Sequence, residues 1–222
     1  MVGHFQEFED EYLEMMYEFH EADPGGVVRT GDLAAKLGVS PASATEMVQR
    51  LAARGFLEYI PYKGARLTPQ GLTHGQKMKR RHRLAEVLLD LLPYDGNPHE
   101  TACRLEHAID DDMEVALSRL ITEDTLDPSG RTIPEATADI AARLKTGQTN
   151  CALGDMDVGT AGRLSMLLLP AQELATLNQH GFTVGARLQR TTDGFILENG
   201  WTAQLSGTAM RSVFVEIETP SV

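Results

Sequence analysis

Residues 29–71 read RTGDLAAKLGVSPASATEMVQRLAARGFLEYIPYKGARLTPQG, and this stretch decides the fold. Residues 29–37 carry a short helical pattern, with Thr30 or Asp32 near its start. Gly38-Val39-Ser40 is a tight turn. Ser40 is an N-cap and Pro41 a first helical residue, a strong start signal for a second helix that stops at Gly55. Two strand-like runs, Phe56–Ile60 and Ala65–Leu67, then flank a turn at Tyr62-Lys63-Gly64. Helix, turn, helix, hairpin is the layout of a winged helix-turn-helix. The short turn lets the second helix cross the first, with Ala44, Val48 and Leu51 inward and Ser40, Ala42, Ser43, Glu46, Gln49 and Arg50 outward.

Charge distribution adds a partner to this layout. The chain has 222 residues and a net charge of −12, which on average opposes nucleic acid. Residues 1–24 hold eight acids and no Lys or Arg, whereas residues 25–85 hold eleven bases against three acids. A local charge of +8 therefore coincides with the helix-turn-helix. Phosphates meet the local field, so double-stranded DNA is the expected partner. Hydrophobic residues at 42% and charged residues at 23% exclude collagen-like and disordered classes. The longest apolar runs, around Leu88–Leu92 and Leu164–Leu169, are far too short to span a membrane. Two cysteines make no disulfide framework, and no secretory signal is visible, so the expected location is cytoplasmic.

Working outward, residues 5–20 (FQEFEDEYLEMMYEFH) form a helix with an apolar stripe of Phe5, Phe8, Tyr12, Met15, Met16 and Phe19. A long helix spans 70–92, basic early and apolar late. Helices follow over 97–108 and 110–122, then a short helix or turn over 134–145 and a polar boundary over 145–150. After Cys151 frequent glycines punctuate short strand-like runs, which suggests a small β-barrel with one helical insert at Pro170–His180. The expected class is mainly α with a terminal barrel. The expected domains are a winged helix over 1–72, a second helical domain over 73–145, and the barrel over 151–222.

His99, Cys103, Glu106 and His107 fall at i, i+4, i+7 and i+8 and project from one face of a continuous helix. A thiolate, a carboxylate and two imidazoles on one stripe suit a divalent transition metal. His82 and Glu86 (i, i+4) and Glu11 and Glu14 (i, i+3) are two further pairs able to complete such a site. Carboxylates gathered without a cation repel one another, so a metal would give the first helix a reason to dock. His4, His20, His74 and His180 are read as outside the site.

The assembled motifs resemble metal-dependent transcriptional repressors of the diphtheria-toxin-repressor type, the DtxR/MntR family. They are EYLEMMYEF at 11–19, the helix-turn-helix and wing, RRHRLAEVLL at 80–89, HETACRLEH at 99–107 and DPSGRTIP at 127–134. ALGDMDVGTAGRL and GFTVGARLQ resemble phrases of an SH3-like FeoA domain, which makes the expected barrel SH3-like. The resemblance implies a primary metal site of Glu11, Cys103, Glu106 and His107, and an ancillary site of His82, Glu86 and His99 capped by Glu173. Glu14 matches an additional acid of manganese-type members. Iron-type members carry Met where Glu11 stands, and manganese-type members usually carry Glu where Cys103 stands, so the donor set is a hybrid. Thiolate softness makes Fe(II) the expected metal and Mn(II) the alternative, with Co, Ni or Zn able to substitute in vitro.

The expected function is a metal-activated repressor, a homodimer on a pseudo-palindromic operator, without enzymatic activity. Arg29, Thr30, Ser40, Ser43, Thr45, Arg50, Lys63 and Arg66 would mostly hold phosphates. Pro41, Ala42 and Ser43 would meet base edges, with Glu46 a further candidate and methyl contacts and DNA shape contributing. The competing readings are a metalloenzyme, for which no separate general base stands out, and a winged-helix regulator sensing an organic ligand.

Overall fold

The computed structural model describes residues 3–92, 94–121, 126–145, 150–192 and 194–218, with side chains from Glu7 onward. The chain divides into two compact units, Met1–Glu114 with Leu126–Ile140, and Val115–Thr125 with Ala141–Val222. Nearly half of the chain is helical. No helix among the described residues is long and apolar enough to cross a membrane.

In the first unit, α1 (Gly3–Ala22) precedes α2 (Thr30–Leu37) and α3 (Pro41–Ala53). The chain leaves α2 through Gly38, whose φ of 66° is a left-handed conformation that glycine adopts without strain. Ser40 then accepts the Ser43 backbone N–H at 3.0 Å and starts α3. β1 (Leu57–Ile60) and β2 (Gly64–Leu67) pair antiparallel, Leu57 opposite Leu67 and Ile60 opposite Gly64. Val28 adds a rung beside Ala65, exchanging both backbone hydrogen bonds at 2.8 and 2.9 Å. The core is shared: Tyr12, Leu13 and Met16 of α1 pack with Leu33, Ala44, Val48 and Leu51. Phe8, expected on the apolar stripe of α1, is instead 56% exposed and lines a cleft. The side chain of Phe5 lies outside the described residues.

Thr68 caps α4 (Pro69–Leu91), which α1 crosses at Gly75. A β-carbon there would sit 2.5 Å from the Leu13 carbonyl oxygen, so glycine sets the closeness of the two helices. α5 (Pro98–Leu105) is shorter than the sequence suggests. The amides of Ala108 and Ile109 both donate to Leu105 O, at 2.9 and 3.1 Å, and close the helix. Ile109 is buried, and Asp110 accepts the Met113 amide at 2.8 Å to start α6 (Asp111–Leu120). Glu106 and His107 therefore lie in the turn after α5, and the four residues expected on one continuous helix are split between helix and turn. α7 (Ala138–Lys145) starts four residues later than expected. Most of the boundary expected at 145–150, residues 146–149, falls outside the described residues.

The second unit holds β3 (Asn150–Ala152), β4 (Ala161–Leu167), α8 (Ala171–Asn178), β5 (Arg187–Thr191), β6 (Gly194–Leu197), β7 (Thr202–Ala203), α9 (Gly207–Arg211) and β8 (Val213–Ile217). The six strands form one antiparallel sheet in the order β3-β8-β4-β5-β6-β7. Leu153, Leu164, Phe182, Leu188, Phe195, Val213 and Val215 fill its core. The expected barrel is not closed among the described residues. Its edge strands, β3 and β7, are three and two residues long, too short for the continuous pairing that closure requires. Short edges also limit pairing with other chains.

Candidate metal centre and nucleic-acid interface

Three segments of the first unit bring titratable side chains to one cleft of about 660 Å³. α1 supplies Glu11 and Glu14. α4 supplies His82, whose Nε2 lies 3.3 Å from Glu86 Oε1 one turn later. α5 supplies His99 and Cys103, and the following turn Glu106 and His107. His82 is the hub and is 1% exposed. Its Nδ1 lies 2.6 Å from Glu106 Oε2 and 3.7 Å from Glu14 Oε1. Its Nε2 lies 3.3 Å from His99 Nδ1, which in turn is 2.9 Å from Glu86 Oε1. Two groups of possible ligand atoms each lie within 4.8 Å of one another: His82, His99 and Cys103, and Glu14, His82 and Glu106. Glu11 and His107 line the same cleft. His107 Nε2 stands 3.5 Å from Glu106 Oε1, and its Nδ1 3.8 Å from Asp10 Oδ2.

Crowded carboxylates dominate the electrostatics. Burial alone would lower the affinity of His82 for its proton. The Cys103, Glu106 and Glu86 side chains as hydrogen-bond partners, with the charge of Glu14, hold it far above the ordinary imidazole range. Glu106 is itself held above the usual carboxylate range, because burial and the Glu14 charge outweigh the pull of His82. Burial and Glu14 also raise Glu11, against the attraction of His107. A cluster that retains protons in this way must release them when a cation binds.

The residues fit a divalent transition ion. The donor set mixes imidazole, thiol and carboxylate, the chemistry such ions take. Two buried atoms at the cluster, Glu86 Oε2 and His107 Nδ1, have no hydrogen-bond partner within 3.5 Å. Each has only a longer-range charged neighbour, Arg131 at 3.7 Å and Asp10 at 3.8 Å, so each keeps bonding capacity that a water or an ion would use.

Local reading did not find the neighbours that balance this charge. Lys79 is 3% exposed and donates to Glu14 Oε1 at 3.1 Å and Glu18 Oε2 at 2.6 Å. Arg131 stands 3.7 Å from Glu86 Oε2. Asp10 joins the site to His74, whose Nε2 is 2.7 Å away. A basic residue three positions before His82, on the same side of α4, was the available signal for Lys79. Glu173 lies in the first turn of α8, in the second unit.

Elsewhere on the first unit, Ser40, Pro41, Ala42 and Ser43 are exposed at the start of α3. Thr45 Oγ1 donates to Pro41 O at 2.8 Å. A groove of about 500 Å³ runs between the start of α2 and the wing, lined by Arg29, Thr30, Tyr62 and Lys63. Tyr62, at the wing tip, is fully exposed. Arg66 is exposed and pairs with Glu58 across the hairpin at 2.8 Å. Arg50 is differently placed. Its guanidinium donates to Glu9 Oε1 of α1 at 2.9 and 2.6 Å, and Arg54 donates to Glu9 Oε2. Glu9 is 3% exposed, and although burial opposes it, the two arginines hold its carboxyl below the usual range. This tie between the first helix and α3 was not foreseen.

Comparison with known proteins places these features in a wider set. The profile of the iron dependent repressor N-terminal DNA binding domain matches residues 4–65, and that of the iron dependent repressor metal binding and dimerisation domain matches residues 68–135. The diphtheria toxin repressor of Corynebacterium efficiens is 27% identical over 218 residues, covering 92% of this chain and 93% of that protein. An uncharacterized HTH-type transcriptional regulator of Methanocaldococcus jannaschii is 34% identical over 106 residues, 47% of this chain and 84% of its own length. The transcriptional regulator MntR of Salmonella typhimurium is 37% identical over 90 residues, 40% of this chain and 56% of that protein. Among solved structures, a manganese-dependent transcriptional repressor in complex with manganese is 25% identical, covers 95% of this chain and 100% of its own, and has a TM-score of 0.51.

Proposed function

The chain belongs to the iron-dependent repressor family, metal-dependent transcriptional regulators of the DtxR/MntR type, and on that premise we propose that Fe(II) governs its grip on a pseudo-palindromic operator. Mn(II) is the alternative, since Glu11 and Glu14 add hard oxygen donors to the softer thiol of Cys103. The observation that carries the reading is the convergence of Glu14, His82 and Glu106, from three separate segments, on one point.

In this reading Glu11, Cys103, Glu106 and His107 form one site, His82, Glu86 and His99 a second, and Glu14 is shared. A divalent ion held there supplies the positive charge that offsets mutual repulsion among these carboxylates. Glu11 and Glu14 then fix α1 against α4. The other face of α1 is built into the core of α3, and Glu9 holds Arg50 and Arg54. Fixing α1 therefore fixes the reading helix. Reversing a 1:99 population needs about 5.5 kcal/mol of differential affinity between the two arrangements.

Two copies of the chain would present two reading helices. Arg29, Thr30, Ser40, Ser43, Thr45, Lys63 and Arg66 hold phosphates, while Pro41, Ala42 and Ser43 meet base edges. Arg50, committed to Glu9, contributes to placement of α3 before it contributes to phosphate binding. The proposed domain limits remain 1–72, 73–145 and 151–222.

The test is operator binding titrated separately with anaerobic Fe(II) and with Mn(II), then reversed with EDTA. Loss of binding on chelation is expected, and a winged-helix sensor of an organic ligand would keep binding. Cys103→Ala should weaken metal-dependent operator binding about tenfold or more. An unchanged titration would remove Cys103 from the site.

A further inference from the structure

We propose that Lys79 is a built-in cation that competes with an incoming metal for Glu14, weakening that ligand without removing it, and so biases which divalent ion the site accepts. The inference rests on the metal-binding reading above and deepens it. Lys79 Nζ lies 3.1 Å from Glu14 Oε1, the same oxygen that stands 3.7 Å from His82 Nδ1. Its other contact, Glu18 Oε2 at 2.6 Å, anchors the ammonium on the α1 side of the cleft. The ammonium and a metal ion would compete for one carboxylate.

The consequence is chemical selectivity. With Glu14 engaged by the ammonium, one hard oxygen donor is drawn away, and the weight of His82, His99 and Cys103, two nitrogens and a sulfur, grows against the carboxylates that remain, such as Glu106. Such a set suits the softer ions, Co(II), Zn(II) and Fe(II), better than Mn(II). Releasing Glu14 adds a hard anionic oxygen, the donor from which Mn(II) gains most. Loss of the ammonium charge alone would raise the affinity for every divalent ion alike. A change in the ratio between ions is therefore the signature of Glu14 release.

The experiment measures dissociation constants of the DNA-free full-length protein for Mn(II) and for Co(II). Mn(II) is followed by its free-ion paramagnetic resonance signal and Co(II) by its visible absorption. Lys79→Met should tighten Mn(II) binding about tenfold, the scale on which neighbours of metal ligands act, and shift the Mn(II)-to-Co(II) ratio by about fivefold. Lys79→Arg, which keeps the charge, should behave as the native protein. Adding Glu14→Gln to Lys79→Met should abolish the gain in Mn(II) affinity. Should Lys79→Met fold poorly with two carboxylates left facing each other, Lys79→Met with Glu18→Gln carries the same expectation. Mn(II) affinity within twofold of native in the folded variant would overturn the inference, as would equal gains for both ions. A native protein that binds neither ion would instead remove the metal reading itself, and this inference with it.

Discussion

Substitution of Gly75 by alanine tests whether the seating of α1 on α4 carries the metal response. The added β-carbon would lie 2.5 Å from Leu13 O, 3.0 Å from Tyr17 Cβ and 3.2 Å from Leu13 C. The nearest of these is main-chain carbonyl of α1, which cannot swing aside as a side chain would. Relief to an ordinary contact needs a displacement of about 1 Å between the helices. Overpacking of this kind costs about 1–3 kcal/mol. Leu13 adjoins Glu14, so the displacement moves Glu14 relative to His82, now 3.7 Å apart. His82, His99 and Cys103 sit on α4 and α5 and keep their places. Gly75→Ala should therefore still bind metal, but with affinity reduced about 5- to 150-fold, the range that energy spans. Metal-dependent DNA binding should fall by at least as much. Calorimetric metal titration and fluorescence anisotropy on operator DNA give the two quantities. Gly207→Ala, where an added carbon meets nothing within 4 Å, controls for the change in chain entropy and should be neutral or mildly stabilising. Native metal affinity together with a native metal response in Gly75→Ala would refute the argument that α1 must be seated.

Two further outcomes follow from particular side chains. Arg66→Ala should weaken binding to all DNA sequences alike and lower the salt slope by about one, measured by anisotropy across a salt series; a constant slope would show that Arg66 does not touch phosphate. Asp127 accepts the amides of Ser129 and Arg131, the Ser129 hydroxyl and the Arg131 guanidinium at 2.8–2.9 Å. Burial opposes its charge, but these donors prevail and hold it below its ordinary 3.8. The unfolded chain therefore takes up the proton first as pH falls, so the carboxylate's stabilisation is complete at neutral pH and drains away below about 3.8. The stability gap between the native protein and Asp127→Asn, read by denaturant unfolding, should narrow over that interval; a gap that stays constant down to pH 3 would refute the shift.

Much of the first unit was legible because its signals are local. Ser40 and Pro41 announce α3, Gly38 and Gly55 punctuate it, and Ala44, Val48 and Leu51 mark its inner face. The candidate ligands were equally visible, since histidines and a cysteine at i, i+4 spacing stand out in any helix. What balances them was not. Lys79 meets Glu14 and Glu18 across 65 and 61 positions, and Arg50 meets Glu9 across 41. A charged residue on a helical pattern looks the same whether it faces solvent or a distant carboxylate. The early end of α5 was hidden for a related reason. Helical spacing continues through Glu106 and His107, and only the burial of Ile109 and the cap at Asp110 stop it. Glycine-rich punctuation identified most strands of the second unit, but closure depends on the pairing partners of edge strands, which punctuation does not encode.

Two carboxylates of the first helix face different neighbours, Glu9 toward Arg50 and Arg54 of α3 and Glu14 toward the histidine cluster. Five residues separate them, which at about 100° per residue puts the two carboxylates some 140° apart around the axis. One rod thus serves as counter-ion to two different bodies at once, and the phase between them is stored in the count of residues from 9 to 14. Inserting a single residue there would turn one carboxylate by roughly a quarter circle relative to the other, with every side chain still present. The turn count of this short segment, as much as the identity of its acids, holds these two contacts at their angle to one another.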